Sequence, residues 1–578
     1  MTLSSVSELA HIAFRNLARH KVKTTLSILA IAVSVTVYIF MDSWLVGMNV
    51  ESRRNIVSYE TGAAKMQTKM YFEKIDDRPM YENFDNWERY ATALEHAGYD
   101  AAPRFVFTGT LYSETGSAPV EFNAIDPSLD AKVLRVSSAV ESGRYLRSGE
   151  FGILLGAMTA DKLKTGIPIR PTLFELENEI LPALPESEHG FVRGLYETAA
   201  AKSGGMFAPK QVELEEGNTR YILRRDVSAE EMNRYWAMLE ESGRMSVRIS
   251  TVIDIKAAPD SVRQDKYETD LLPRFSAEER ALFESAYTFD ELLDAWLLDT
   301  DAPHTLDAIL QAMVRADYSG AIRHVNQLIS AVVVGIVNAP NPKLNNNTAF
   351  IPLDALQDET GLMLEGHVTE LVIRKHNASD TALPRADESA AQIRRALETT
   401  ALETAAGPLP NDLAIEGWEG YARDYLAASA GDNWSSYIII IILFILSFLG
   451  IANTMLLAIL ERTREIGMMR AQGMTDSQLL FTLMMEAGMV GLIGSVAGLV
   501  IGCLLNIPMV EHGVDFSAMT SSMGGDIGYR VNGVFRSAWN PPVIVLTGIA
   551  ATILSAVMAF FPTRRALKMP ITESLRFD

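Results

Sequence analysis

The stretch NWSSYIIIIILFILSFLGIANTMLLAILERTREIGMMRAQG (residues 433–473) decides how the rest of the chain is read. Its first 28 residues, Asn433 to Leu460, carry no charge, and its last thirteen carry five. A bilayer core needs about 20 apolar residues in helix, and a buried soluble helix seldom runs that long uncharged. The stretch therefore reads as a span that emerges from a membrane and continues as a charged helix, broken at Gly473. Thr475 or Asp476 is then placed to cap the next helix.

Three further charge-free runs repeat the signal: Thr24–Met41, Ala487–Val510 and Ser537–Thr563. The first is the shortest. It begins only after 23 residues, and Asp42-Ser43-Trp44-Leu45 lacks a small-x-small exit site, so an uncleaved anchor is expected. The fold class expected is a multi-pass α-helical membrane protein with four spans, one before and three after a large extracytoplasmic α+β domain. The spans are placed at 24–46, 433–460, 483–508 and 541–562, the outer domain at 47–432 and a second outer loop at 509–540.

Charge sets the orientation. The segment before the first span, the 461–482 loop and the 563–578 tail hold 11 of the 51 basic residues but only 6 of the 72 acidic ones, leaving 40 basic and 66 acidic elsewhere. Positive flanks stay inside, so both termini and the middle loop are expected in the cytoplasm. Residues 1–23 place Leu9, Ile12, Ala13 and Leu17 at helical spacing among basic residues, the pattern of an entry helix on the inner surface or of a simple topogenic flank.

Within 47–432, Arg104–Tyr112, Val120–Ile125, Ala331–Val337 and Thr369–Arg374 read as strands, with helices at Asn86–His96 and Pro352–Thr360. From 168 to 327 the texture turns acidic and helical. Capping boxes at Ser228/Glu231, Ser276/Glu279 and Thr288/Glu291 mark three expected helix starts in an insert. Another helix is expected within 377–411.

A formal net charge of −21 argues against a nucleic-acid partner. The single cysteine, Cys503, rules out an internal disulfide and any paired-cysteine metal site. The nine histidines show no ligand spacing. Neither a P-loop nor a Gly-x-Ser-x-Gly elbow occurs, so no catalytic, cofactor or metal residue is assigned and an enzyme is not expected. Two features remain. The loop after the second span is a short charged protrusion suited to a cytoplasmic partner. In the third span, Gly494, Gly498 and Gly502 recur every fourth residue, which permits close helix approach. Asp42 and Glu486 lie near span ends and are expected to snorkel to water.

Glu461-Arg-Thr-Arg-Glu-Ile-Gly-Met-Met-Arg-Ala-Gln-Gly, after Asn453-Thr-Met, resembles the signature of FtsX/MacB-type ABC transporter permeases. The starting Ala13-Phe-Arg-Asn-Leu-Ala-Arg-His-Lys-Val-Lys-Thr-Thr and the ending Pro562-Thr-Arg-Arg-Ala-Leu-Lys-Met-Pro-Ile-Thr-Glu-Ser-Leu-Arg are similar to that family's ends. Ala102-Pro-Arg, Ile125-Asp-Pro, Gly143-Arg-Tyr-Leu and Gly152-Ile-Leu-Leu-Gly look like the lipoprotein-releasing LolC/LolE branch. The resemblance implies a bacterial inner-membrane permease, paired with a second copy or paralogue and driven by a separate ABC ATPase subunit that binds the ATP. It makes Glu461, Arg464, Glu465, Gly467, Arg470 and Gly473 the coupling surface. Lipoprotein release is the implied function. A MacB-like efflux or secretion permease and an FtsX-like regulator of a cell-wall hydrolase stand as alternatives, with a lipoprotein or another periplasmic protein as the outer partner.

Overall fold

The computed structural model describes residues 21–168, 171–198, 221–299 except 225, 303–358, 366–376, 390–403, 412–427, 463–515 and 534–570, with isolated positions between 410 and 445. The chain divides into two compact units. The entry segment 1–20 and most of the run at 433–460 lie outside the described residues. The described positions of that run, Trp434, Ile438, Ile441, Ile442 and Ile445, are helical and expose their apolar side chains.

The first unit takes residues 1–53 together with 422–518 and 533–578. Its described helices are α1 (Lys21–Ile56), α2 (Thr463–Ala471), α3 (Asp476–Glu511), α4 (Pro541–Met558) and α5 (Phe560–Leu567). Among the described residues three helices are long and apolar enough to cross a membrane: Thr24–Thr61, Asp476–Glu511 and Pro541–Leu567. The first runs well past residue 46. It continues unbroken to a π-helical turn at Val57–Thr61, which ends at Gly62 with φ +63°.

These helices turn their large side chains outward. Leu26, Leu29, Val33 and Val37 of α1 are exposed, as are Leu492, Ile493, Val496, Val500 and Leu504 of α3 and Val545, Leu546, Ile549 and Ile553 of α4. The interior sets many small or polar residues, among them Gly494, Ser495, Gly498, Gly502, Thr547, Ala551 and Ser555, around a few large ones such as Ile31, Val35 and Ile39. Water would reject that arrangement, whereas lipid tails are as apolar as leucine and leave packing to the small residues.

The second unit, residues 54–421 with 519–532, is built on a ten-stranded mixed sheet. Its strands are β1 (Ala64–Thr68), β2 (Tyr99–Tyr112), β3 (Ser117–Ile125), β4 (Val140–Gly143), β5 (Gly152–Gly156), β6 (Ser246–Lys256), β7 (Ile322–Val337), β8 (Thr348–Pro352), β9 (Glu370–Lys375) and β10 (Leu413–Gly417). The path runs β10-β1-β9-β2-β3-β8-β5-β7-β4, and β6 pairs with both β7 and β2. The strands β2, β3, β8, β5, β7 and β6 therefore form a closed circuit. Alternation sends Phe105, Phe107, Phe122, Ile153, Val247 and Val333 to one core, while Ala102, Ile125, Leu154, Val334, Phe350 and Val372 face another.

The segment 168–327 differs from the helical insert expected. Capping boxes at Ser228/Glu231 and Ser276/Glu279 start helices Ala229–Glu241 and Ala277–Ala286. The Thr288/Glu291 pair does not, because Tyr287–Asp290 pairs antiparallel with Ala295–Leu298, and sheet pairing overrides the local cap pattern. The segment also supplies β6 to the main sheet. Residues between β6 and β7 gather around a separate core of Tyr267, Phe283, Tyr287, Ile309 and Met313, carried at the end of the β6–β7 ribbon.

Candidate functional site

The charged loop folds into an elbow. Arg464, Glu465, Met468, Met469, Arg470 and Ala471 are good helix formers, and they make most of α2. Gly473, at φ +97°, ends it: the Met474 amide donates to the Met469 carbonyl at 3.2 Å and the Gly473 amide to the Arg470 carbonyl at 3.1 Å. That pair of bonds is a Schellman stop, and its left-handed residue favours glycine. Thr475 then caps α3, its hydroxyl accepting from the Gln478 amide at 3.3 Å while the Gln478 side chain accepts from the Thr475 amide at 3.0 Å. Only Met474 separates stop from start.

The elbow has an inner and an outer side. Ile466 packs with Leu479 and Leu483 of α3 and with Ala566 and Leu567 of α5, flanked by Met469, Met474 and Leu480. Arg470 pins it further, with Nε 3.0 Å from Asp476 Oδ1 and Nη1 donating to the Met569 carbonyl at 2.8 Å. Arg470 is thus a clamp within the unit, and Gly467 is buried beside it. Arg464, Met468, Gln472 and Gly473 are exposed and Glu465 is half-buried. Glu461 lies outside the described residues. Sequence reasoning alone passes over Met468, whose signal is an apolar side chain two residues beyond Ile466, on the face that turns away from the apolar seam.

The three glycines of α3 lie against α1. A Cβ added at Gly494 would meet Ile31 Cβ at 2.9 Å, at Gly498 the Ala32 carbonyl at 2.6 Å, and at Gly502 Ile39 Cβ at 3.3 Å. The Thr36 hydroxyl donates to the Gly498 carbonyl at 3.1 Å across this seam. On another side of α3, Gly491 meets Ser555 and Thr552 of α4, and Ser495 Oγ lies 3.1 Å from Thr552 Oγ1. Helix α3 is therefore held by close approach on two sides, to α1 and to α4. Asp42 does not snorkel. It is buried and accepts from Asn540 Nδ2 at 3.0 Å, beside the start of α4.

In the second unit, buried charge gathers on the β1-β9-β2-β3 side. Arg104 Nη2 and Nε reach Asp130 Oδ1 at 2.7 and 3.0 Å, and Lys65 Nζ reaches both Glu370 oxygens at 2.8 and 2.9 Å. Burial alone would raise the Glu121 carboxyl, but Lys343 and Arg78 hold it down at about 2. Among the described residues no group of His, Cys, Asp and Glu could hold a metal ion.

Residues 437–571, which include the elbow and α3 to α5, match the family model described as FtsX-like permease C-terminal. The ABC transporter permease YtrF of Bacillus subtilis is 29% identical over 181 residues, 29% of this chain and 39% of that protein. An ABC transporter permease of Methanocaldococcus jannaschii is 32% identical over 127 residues, 22% of this chain and 28% of the relative. The macrolide export ATP-binding/permease protein MacB of Agrobacterium fabrum is 27% identical over 215 residues, 37% of this chain and 25% of the relative. The matched segment thus spans well under half the length of each of these three relatives. The elbow and the apolar helices around it thus form an FtsX-like permease C-terminal domain over residues 437–571, and the chain is similar in part to ABC transporter permeases such as YtrF and MacB.

Proposed function

We propose that the chain is the permease subunit of an ABC transporter that passes the motion of a separate ATPase subunit to an α/β domain outside the cytoplasm. The observation that carries this reading is the elbow: a short helix that, with Gln472 just after it, exposes Arg464 and Met468, joined to α3 by only four residues and packed on α5. A partner pushing on that face moves two apolar helices at once. Glu465 and Arg464 supply charge for docking, Gly467 and Arg470 hold the elbow, and Gly473 sets its angle. Four spans, cytoplasmic termini and a second permease copy or paralogue complete the assembly. The small, largely uncharged interior of the first unit suits transmission of force better than conduction of a polar solute.

Work is then done on the outer side. Release of lipoproteins from the inner membrane is the reading that the outer-domain segments around Pro103, Pro127 and Leu154 support. MacB-like export is the second reading, favoured by the macrolide export relatives. Two measurements test the common part. The purified chain is expected to hydrolyse no ATP until its ATPase partner is added; hydrolysis scaling with the isolated chain would overturn the reading. Reporter fusions at residues 20, 470 and 575 are expected to report cytoplasm and those at 250 and 525 the outside. A cytoplasmic signal at 250 would remove the outer domain and the mechanism with it.

A further inference from the structure

The main segment of the second unit, residues 54–421, is joined to the first by a lead at each end. The chain enters through the last turns of α1 and leaves through the helix Trp418–Tyr421 after β10. Inside the unit the leads meet. Strands β1 and β10 pair antiparallel, Ala64 opposite Gly417, and the Trp418 amide donates to the Ala63 carbonyl at 3.2 Å. Any pull on either lead is therefore felt at β1.

Both leads also grip one ion network. The π-helical turn Val57–Thr61 breaks the register of α1, and Glu60 sits in it beside the sheet. Lys343 Nζ lies 2.6 Å from Glu60 Oε1 and 3.5 Å from Glu121 Oε1, and Asn341 Nδ2 donates to Glu60 Oε2 at 3.3 Å. Glu121 Oε2 in turn accepts from Arg78 Nη2 at 2.8 Å and from Nε at 3.2 Å. On the exit side Lys65 Nζ is paired with Glu370 and stands 5.1 Å from the centre of the Tyr421 ring. Arg104, opposite Glu370 in the β9–β2 register, closes the set on Asp130.

Four cations, Lys65, Arg78, Arg104 and Lys343, meet four carboxylates, Glu60, Glu121, Asp130 and Glu370. The network is neutral, so it holds no surplus charge to attract an ion; its effect is to set register. It is also graded. The Arg104 and Asp130 side chains are 3% and 0% exposed, whereas Lys343 and Glu60 are 42% and 24% exposed. Buried pairs are costly to separate, while a pair that reaches water exchanges its partner for solvent at little cost. The inner pairs are anchors and the rim pair is the one that releases.

Resting on the permease reading above, we propose that Glu60–Lys343 is a releasable latch that fixes the end of α1 to the sheet and decides whether movement of α1 reaches the outer domain. Two further bonds support the same point: the Arg135 backbone amide donates to the Ser58 carbonyl at 2.9 Å, and the Asn55 side chain donates from Nδ2 to the Pro340 carbonyl at 3.3 Å. With those bonds kept, losing the ion pair loosens the turn without unfolding the domain.

Hydrogen exchange on the full chain in lipid nanodiscs tests this. Glu60→Gln and Lys343→Gln are each expected to speed exchange over residues 57–63 by about two- to fivefold, leaving β2 and β3 protected as in the parent. The double variant is expected to exchange no faster than Lys343→Gln, since the two act through one pair. Unchanged exchange in the single variants, or additive effects in the double, would overturn the latch. A second arm adds the co-purifying ATPase subunit and ATP. Exchange over 57–63 is expected to change in the parent and to stay unchanged in Glu60→Gln. A Glu60→Gln response equal to the parent's would overturn the latch's role in transmission. A parent with no response at all would overturn the permease reading itself, leaving the first arm to judge the pair.

Discussion

The two units bury opposite things. In the helical unit close contacts are glycine against backbone, as at Gly498 and Ala32, and most polar groups inside are short hydroxyls and amides such as Thr36, Ser495 and Asn506, with Asp42 a buried carboxylate held by Asn540. In the sheet unit the interior holds stacked aromatics, Phe107 on Phe122 at 4.9 Å, beside fully paired charges such as Arg104 and Asp130. The difference follows from what surrounds each. An apolar solvent gives no advantage to burying leucine, so the helices use their interface for close approach. Water favours burying aromatics and lets a domain carry ion pairs inside, provided each charge keeps its partner.

The sharpest way to break that contrast is to remove one buried charge. Arg104→Met leaves Asp130 in the core without its cation and is expected to destabilise the sheet unit by about 3–5 kcal/mol. Arg104→Met with Asp130→Leu is expected to recover most of the loss. Denaturant unfolding followed by tryptophan fluorescence reads both, and equal loss in the single and double variants would mean that side-chain volume, not charge, matters there.

A smaller effect is expected in the helices. Gly498→Val puts a branched side chain where the Ala32 carbonyl already lies 2.6 Å from an added Cβ, and overpacking of this kind costs roughly 1–3 kcal/mol. Val500→Ala, on the exposed face of the same helix, is expected to change stability by less than about 0.5 kcal/mol. Thermal unfolding in nanodiscs compares the two. Equal shifts would mean that the glycine seam is not where the helices are held.

Acid is expected to act on the sheet unit first. Glu121 has its carboxyl lowered from an ordinary 4.5 to about 2, by Lys343 and Arg78 acting against the burial that would raise it, with Lys65 adding to the lowering. A group held down in this way stabilises the fold fully above about pH 4.5, and that stability is lost as pH falls towards 2. Glu121→Gln is expected to be less stable than the parent at neutral pH and to flatten the acid dependence over that window. An unchanged slope would assign the acid loss to other carboxylates.

Much of this architecture is legible in the amino-acid sequence. Uncharged runs need no tertiary information, so α1, α3 and α4 can be read from composition, and the Ser228, Ser276 and Thr475 caps depend only on neighbours three residues away. What cannot be read depends on partners far along the chain. Thr288 has the same local pattern as Ser276 but is claimed by a strand across the turn. The alternation in Val247-Arg-Ile-Ser-Thr-Val-Ile marks β6, yet acidic helices on both sides mask it. Arg470 reads as a docking residue because Asp476 and Met569 become its partners only when the elbow folds. The Glu60–Lys343 pair spans 283 positions and carries no local signal.

The central claim is that force enters at the elbow, and ATP hydrolysis by the reconstituted complex tests it most directly. Glu465→Lys reverses charge at a half-buried position and exchanges one good helix former for another, so the chain is expected to insert and fold as before. Reversing a charge that is desolvated against a partner costs roughly 2–5 kcal/mol, which would weaken ATPase association by about thirtyfold or more. The account predicts that Glu465→Lys loses the ATPase subunit or its coupled hydrolysis, while Glu278→Lys, exposed on the helix Ala277–Ala286, keeps both. A Glu465→Lys complex that assembles and turns over ATP at the parent's rate, with transport intact, would contradict it.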